Sequence, residues 1–214
     1  MGTPDTSRLT APALDASLVD WLDANATQLD TSAALKAEVV PRLAAAGLFR
    51  TGVPASLGGA GGATTDAIAG IAAVAEHSLT AAFVLWGQRS FIEYLLQSPN
   101  AALRERWLPA LLDGRCAGAS GLSNAMKYLS GIESLQIDAT PHAEGADDWR
   151  MTGRMAWVTN LRAERFVVAA AVTFGDERPS AIVAIPDDAP GLTRSADLDL
   201  IALRGSNTAA LHLD

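Results

Sequence analysis

The 214-residue chain is 49% apolar and 19% charged, with a formal net charge of −8, and so carries enough apolar surface for one large domain or two small ones. Its acidic balance and 16 scattered Lys and Arg residues argue against nucleic acid as a partner, because neutralising phosphates needs clustered cations. No apolar run approaches the roughly 20 residues that cross a bilayer, and a lone cysteine, Cys116, excludes an intrachain disulfide and fits a reducing cytoplasm.

The opening MGTPDTSRLTAPALD has none of the ordered regions of a signal peptide. Gly2 and Thr6 match the myristoylation pattern only briefly and in poor context. Beyond Pro12, Leu14, Leu18, Trp21 and Leu22 form one helical stripe. Thr31 or Ser32 is the expected cap of a second helix carrying Leu35, Val39 and Leu43, with Gly47 as its terminator and Pro41 bending or shortening it. A Gly/Pro-rich loop follows over 51–63. Thr64 or Thr65 then opens an apolar helix, Ser78 or Thr80 another running to about Leu96, and Pro99-Asn100 a last one that stops near Gly114. Alanine is abundant throughout, which favours helix.

From Arg115 the apolar runs shorten and grow richer in Val, Ile, Thr and Trp. Strands are expected near 115–122, 134–141, 149–158, 165–172, 180–185, 192–197 and 208–213, with turns by composition at 143–148, 175–179 and 187–191. Helices followed by a run of strands predict an α+β chain: an all-α helical domain over 1–114, then an antiparallel β-barrel or sandwich over 115–214.

Several local patterns fail on inspection. Gly58 to Ala63 resembles a dinucleotide-binding loop but lacks a strand before it and an acid-terminated strand after it; an inter-helix turn is the expected role. Gly118-Ala119-Ser120-Gly121 has its second glycine one place too early for a nucleophile elbow. His77, His142 and His212 are far apart, with no metal-ligand spacing and no Cys or carboxylate cluster. No metal site is expected. Gln88 and Arg89 interrupt an apolar helix that also carries Phe83, Trp86, Phe91, Glu93 and Tyr94. Either they line a cavity, since unpaired polar groups are costly to bury, or one faces solvent beside ordinary core aromatics.

Several segments in colinear order resemble the acyl-CoA dehydrogenase family. These are Leu43 to Phe49 with Val53-Pro54 and Leu57-Gly58-Gly59, then Ala110 to Gly114, then Gly153 to Asn160 (GRMAWVTN), and finally Leu203 to Thr208 with Leu211 to Asp214. The resemblance implies FAD held against the β-domain, with Trp157 flanking the flavin ring and the Thr159 hydroxyl near its N5. Where the family shows L-T-E-P-x-x-G-S-D, this chain has Leu122 to Glu133 (LSNAMKYLSGIE). There Leu122 and Ser123 stand toward the flavin pyrimidine edge, Ser130 replaces the pyrophosphate serine only with one residue inserted, and Asn124-Ala125 replace Glu-Pro. The implied substrate is an acyl-CoA or another acyl thioester, with part of its pocket on the 80–96 helix. The full-length protein is expected to be a homo-oligomer, and the chain an N-terminal piece lacking the family's C-terminal helical bundle. That bundle carries the catalytic base, so no base is nominated here. A flavin-dependent monooxygenase of the same fold and a non-catalytic pseudo-subunit are the alternatives.

Overall fold

Helix α1 (Ala16–Thr31) is capped by the Asp15 carboxylate, which accepts from Leu18 N at 3.1 Å, and buries Leu18, Leu22 and Leu29. The computed structural model describes residues 13–142, 148–175 and 179–214. The signal-peptide and myristoylation readings, and the middles of the turns at 143–148 and 175–179, lie outside them. Helix α1 runs on to Thr31, so neither Thr31 nor Ser32 caps the second helix: Ser32 is extended and its hydroxyl accepts from Ala34 N. Helix α2 (Lys36–Ala45) starts after Leu35 without a side-chain cap and passes through the exposed Pro41. It ends as expected, with Gly47 left-handed at φ 76° and Leu48 N donating to Leu43 O at 3.2 Å.

The glycine loop is a turn, as expected. Gly52 N donates to Gly61 O and Gly61 N to Val53 O, each at 2.8 Å, folding 51–61 back on itself. A Cβ on Gly59 would stand 2.0 Å from Val53 O, so only glycine closes this fold. Helix α3 (Thr64–Ala75) follows, its Asp66 carboxylate accepting from Ala63 N at 2.8 Å. Helix α4 (Leu79–Gln97), capped by Ser78, is the axis of the helical layer and is buried around most of its circumference. Helix α5 (Ala101–Leu112), capped by Asn100, completes it.

Seven strands follow: β1 (Ala117–Ser120), β2 (Ile137–Pro141), β3 (Trp149–Val158), β4 (Phe166–Val172), β5 (Ala181–Pro186), β6 (Leu192–Asp197) and β7 (Ala209–Leu213). One sheet has the order β1-β4-β5, with β1 parallel to β4; the other is antiparallel, in the order β2-β3-β7-β6. They are stitched where Ala139 N donates to Thr173 O at 2.7 Å and where Ser120 bridges Thr159. The unbroken apolar run of β4 reflects burial on both faces. Val167 and Ala169 join the helical core, whereas Phe166, Val168, Ala170 and Val172 join the core between the sheets.

Two of the links between helices and strands involve buried or charged side chains with several partners. The Gln88 side chain, 0% exposed, donates from Nε2 to Leu111 O and Cys116 O, both at 3.0 Å. Its Oε1 accepts from Gly118 N at 2.7 Å and from Asn160 Nδ2 at 2.8 Å. At the other link, Lys36 and Arg194 both pair with Asp197. Partial burial by itself would raise the Asp197 carboxyl pKa, but hydrogen bonds from Lys36 and Arg194 outweigh it and hold the group below the ordinary carboxylate value.

Replacing Gln88 with Leu strands the Gly118 N–H, one Asn160 amide N–H and the Cys116 carbonyl, while Leu111 O keeps its bond from Gly114 N, so urea denaturation is expected to show a loss of about 2–4 kcal/mol. The Asp197 contribution is present above the carboxyl's ordinary pKa and lost as pH falls through its depressed folded value. Thermal melts should therefore separate the natural protein from Asp197→Asn at neutral pH and bring the two together as the solution is acidified below about pH 4.

Candidate flavin-edge site

The end of β3 is irregular. Met155 pairs with Leu211 and Val158 with Ala209, so β3 carries one residue more than β7 between these points. Such a bulge re-aims side chains. Here Ala156 and Trp157 both face outward, and Trp157 is 60% exposed. Two residues on, Thr159 is buried, and its Oγ1 lies 3.2 Å from Thr208 Oγ1, which lies 2.7 Å from Ser206 Oγ. Three hydroxyls joined by two links leave one proton uncommitted. If Ser206 donates to Thr208 and Thr208 to Thr159, that proton belongs to Thr159.

Asn160 fixes this corner. It is left-handed at φ 60° and 0% exposed, with Nδ2 shared between Gln88 Oε1 and Gly118 O. Its backbone N donates to Ser206 O at 3.0 Å. Its own Oδ1 is buried without a hydrogen-bond partner among the described residues.

The Ser120–Thr159 bridge lays the end of β1 beside this corner, and Leu122 and Ser123 follow two and three residues later. Gly121 is required there, since a Cβ would stand 2.2 Å from Met155 Sδ. Leu122 is half-buried and Ser123 exposed. Thus Leu122, Ser123, Trp157 and Thr159 share one seam. Ser130 is not brought to it. The stretch 123–129 forms a seven-residue helix, α6 (Ser123–Leu129), absent from the expected elements, and Ser130 lies beyond its far end with Oγ donating to Met126 O at 2.9 Å. Asn124, in place of the resembled glutamate, ties the helix down through Glu133 and the Ser134 carbonyl. Lys127 pairs with Glu133, which these contacts hold below the ordinary carboxylate value.

Tyr94 and Ser120, neither nominated from sequence, join hydroxyl to hydroxyl at 3.0 Å. Tyr94 also lines an apolar cavity of about 500 Å³ formed by Phe91 and Leu95 of α4 with Ile182 and Val183 of β5. Cys116, just before β1 and packed in the helical core, is buried, and burial pushes its thiol up to about 12. His77 rests against Asp23 at 2.7 Å, and no cluster of potential metal ligands occurs among the described residues. Nor is any described helix long and apolar enough to cross a membrane.

A helical layer clamped to stitched β-sheets, with a tryptophan displayed beside a buried hydroxyl chain, is the architecture that the comparisons with known proteins match. Residues 13–115 match the acyl-CoA dehydrogenase N-terminal domain family. The human mitochondrial short-chain specific acyl-CoA dehydrogenase is 29% identical over 192 residues, covering 87% of this chain and 45% of its own. L-evernosamine nitrososynthase of a Micromonospora strain is 28% identical over 210 residues, covering 93% of this chain and 47% of its own. The butyryl-CoA dehydrogenase structure from Megasphaera elsdenii superposes with a TM-score of 0.74 at 23% identity, over 92% of this chain and 53% of that one. The chain is therefore similar to acyl-CoA dehydrogenases along most of its length, with the N-terminal domain match confined to residues 13–115. It spans about half the length of the relatives it matches.

Thiol alkylation is expected to report the burial of Cys116. At pH 8 iodoacetamide should label it at least about a hundredfold more slowly in the native protein than in urea, because the thiolate is the reacting form.

Proposed function

We infer that this chain supplies the flavin-facing portion of an enzyme that desaturates an acyl thioester between its α and β carbons. The observation that carries the reading is the exposed Trp157 indole beside the buried Thr159 hydroxyl, on the seam that also holds Leu122 and Ser123. These residue types fit FAD, the cofactor we assign: the indole offers a flat apolar wall, and the hydroxyl chain has one proton to donate. FAD, when bound, supplies the acceptor for the hydride that leaves the β-carbon.

The remaining roles belong to the chain's own side chains. Trp157 excludes water from one side of the seam, which strengthens the polar contacts there. With Ser206 donating to Thr208 and Thr208 to Thr159, the Thr159 proton is the one left for the flavin. The C-terminal half of α4 borders the apolar cavity that would take the thioester's pantetheine or acyl portion, and Tyr94, on its wall, meets the Ser120 hydroxyl. The base that removes the α-proton is not assigned to a residue of this chain. A second reading, a flavin-dependent monooxygenase, is supported by the nitrososynthase relative and by helix α6, which occupies the stretch that would border the thioester.

Anaerobic absorbance titration with acyl-CoA thioesters tests the reading, using FAD-reconstituted protein with its native flanking sequence. Loss of the oxidised-flavin band is the expected result. Bound flavin that ignores every thioester but is consumed with a reductase and oxygen would establish the monooxygenase instead, and no flavin binding would leave a non-catalytic subunit. In the same preparation Trp157→Ala is expected to weaken FAD binding by about fivefold, read by flavin fluorescence, consistent with roughly 1 kcal/mol for an aromatic pair.

A further inference from the structure

Arg89 lies one residue beyond the Gln88 network, on a different face of α4, and its polar groups are poorly met. It is 4% exposed, and its one hydrogen bond among the described residues is a long contact of 3.4 Å from Nη1 to Phe49 O. Nε is buried with no partner, and so is Oε2 of Glu93 one turn later. The closest approach between the two side chains is 3.8 Å, from Nη2 to Oε2, too long for a hydrogen bond. Glu93 uses its other oxygen to accept from Gln97 Nε2 at 2.8 Å. Burial depresses the Arg89 pKa, and Glu93 counteracts this only in part.

Both side chains line a groove of about 200 Å³ between α3 and α4, walled by Ile68, Ile71, Trp86 and Tyr94. Tyr94 is the wall shared with the larger apolar cavity beside β5, and its hydroxyl meets Ser120 at the start of the seam. The groove therefore adjoins the proposed substrate cleft, with the Tyr94 side chain between them. It is apolar on its sides, with a cation and an anion that approach each other only to 3.8 Å and each keep one buried atom without a hydrogen-bond partner among the described residues. Leaving such groups buried and unmet is costly, and a ligand that meets both recovers that cost. An anionic ligand group would confront Glu93, and a cationic one Arg89.

We propose that the α3–α4 groove recognises a neutral hydrogen-bonding group on the acyl chain of the substrate, a hydroxyl or a carboxamide, whose oxygen accepts from Arg89 while its proton is donated to Glu93. The identity of the molecule carrying that group rests on the thioester reading above; the pocket itself does not. The substrate is then a polar acyl thioester, and a plain fatty chain is discriminated against because it would leave the buried Arg89 Nε and Glu93 Oε2 unmet.

Calorimetric titration of the FAD-loaded protein, with its native flanking sequence, tests this with two isosteric pairs: 4-hydroxybutyryl-CoA against pentanoyl-CoA, and 5-hydroxypentanoyl-CoA against hexanoyl-CoA. In at least one pair the hydroxyl compound is expected to bind at least about tenfold tighter, in keeping with hydrogen bonds to charged groups. That advantage should disappear in Arg89→Met and shrink in Glu93→Gln, whose half-buried site tolerates substitution if the arginine variant fails to fold. Equal or weaker binding of both hydroxyl compounds, or an advantage that survives Glu93→Gln unchanged, overturns the proposal. If no thioester binds, saturation-transfer NMR with 4-hydroxybutyramide separates the two readings. Binding that Glu93→Gln weakens retains the pocket and removes the thioester, and no binding removes the pocket as well.

Discussion

The arrangement depends on one buried amide. Gln88 makes four hydrogen bonds, two as donor and two as acceptor, to Leu111, Cys116, Gly118 and Asn160, and so meets the full capacity of its side chain. Through it the middle of α4 is joined to the end of α5, to β1 and to the corner after β3. The helix can come that close because Gly118 has no side chain: a Cβ there would stand 2.7 Å from Phe91 Cβ. A polar network in a dry interior stabilises only when every member is paired, and here the one unpaired atom is Asn160 Oδ1. The network works less as a source of stability than as a gauge that sets the spacing between helices and strands.

The site inherits its geometry from that gauge. Asn160, held by Gln88 and Gly118, is kept left-handed, and the residue before it turns its hydroxyl inward toward Thr208. Two residues earlier the bulge in β3 releases Trp157 to the surface. A buried donor chain and an exposed flat ring thus stand on one short segment. That combination suits a cofactor having one polar edge and two apolar faces. The α6 helix and the Arg89–Glu93 groove are the places where this chain sets its own terms, one beside the seam and one along α4.

Strand β4 shows the same economy in apolar form. Its alternate residues belong to two different cores, so the strand is at once a wall of the helical layer and a wall of the space between the sheets. Nothing on it is free to carry function. Chemistry is left to the strand ends and the segments that join them, where side chains escape the two cores.

Much of this was legible in the residues themselves. The seven strands fall within a few residues of the apolar runs that foretold them, because a half-buried or fully buried strand has a short-range signature. Ser78 and Asn100 cap the helices they were expected to cap. Trp157 and Thr159 were legible as a pair because both lie in one contiguous motif. Ser32 misled, since α1 consumed the residues before it and turned a nominal cap into a linker. Helix α6 was missed because seven residues give too little periodicity to read, and its anchors, Glu133 and Ser134, lie beyond its own end. Sequence alone determined the order and kind of the elements, since backbone preference and apolar period are properties of neighbours along the chain. Only the tertiary structure decided that Gln88 is a fully paired bridge while Arg89, its neighbour, is an underpaired charge facing a groove. Partners supplied by Gly118, Asn160 and Phe49 lie about 30 to 70 residues away, and hydrogen bonds at that separation leave no trace in local pattern.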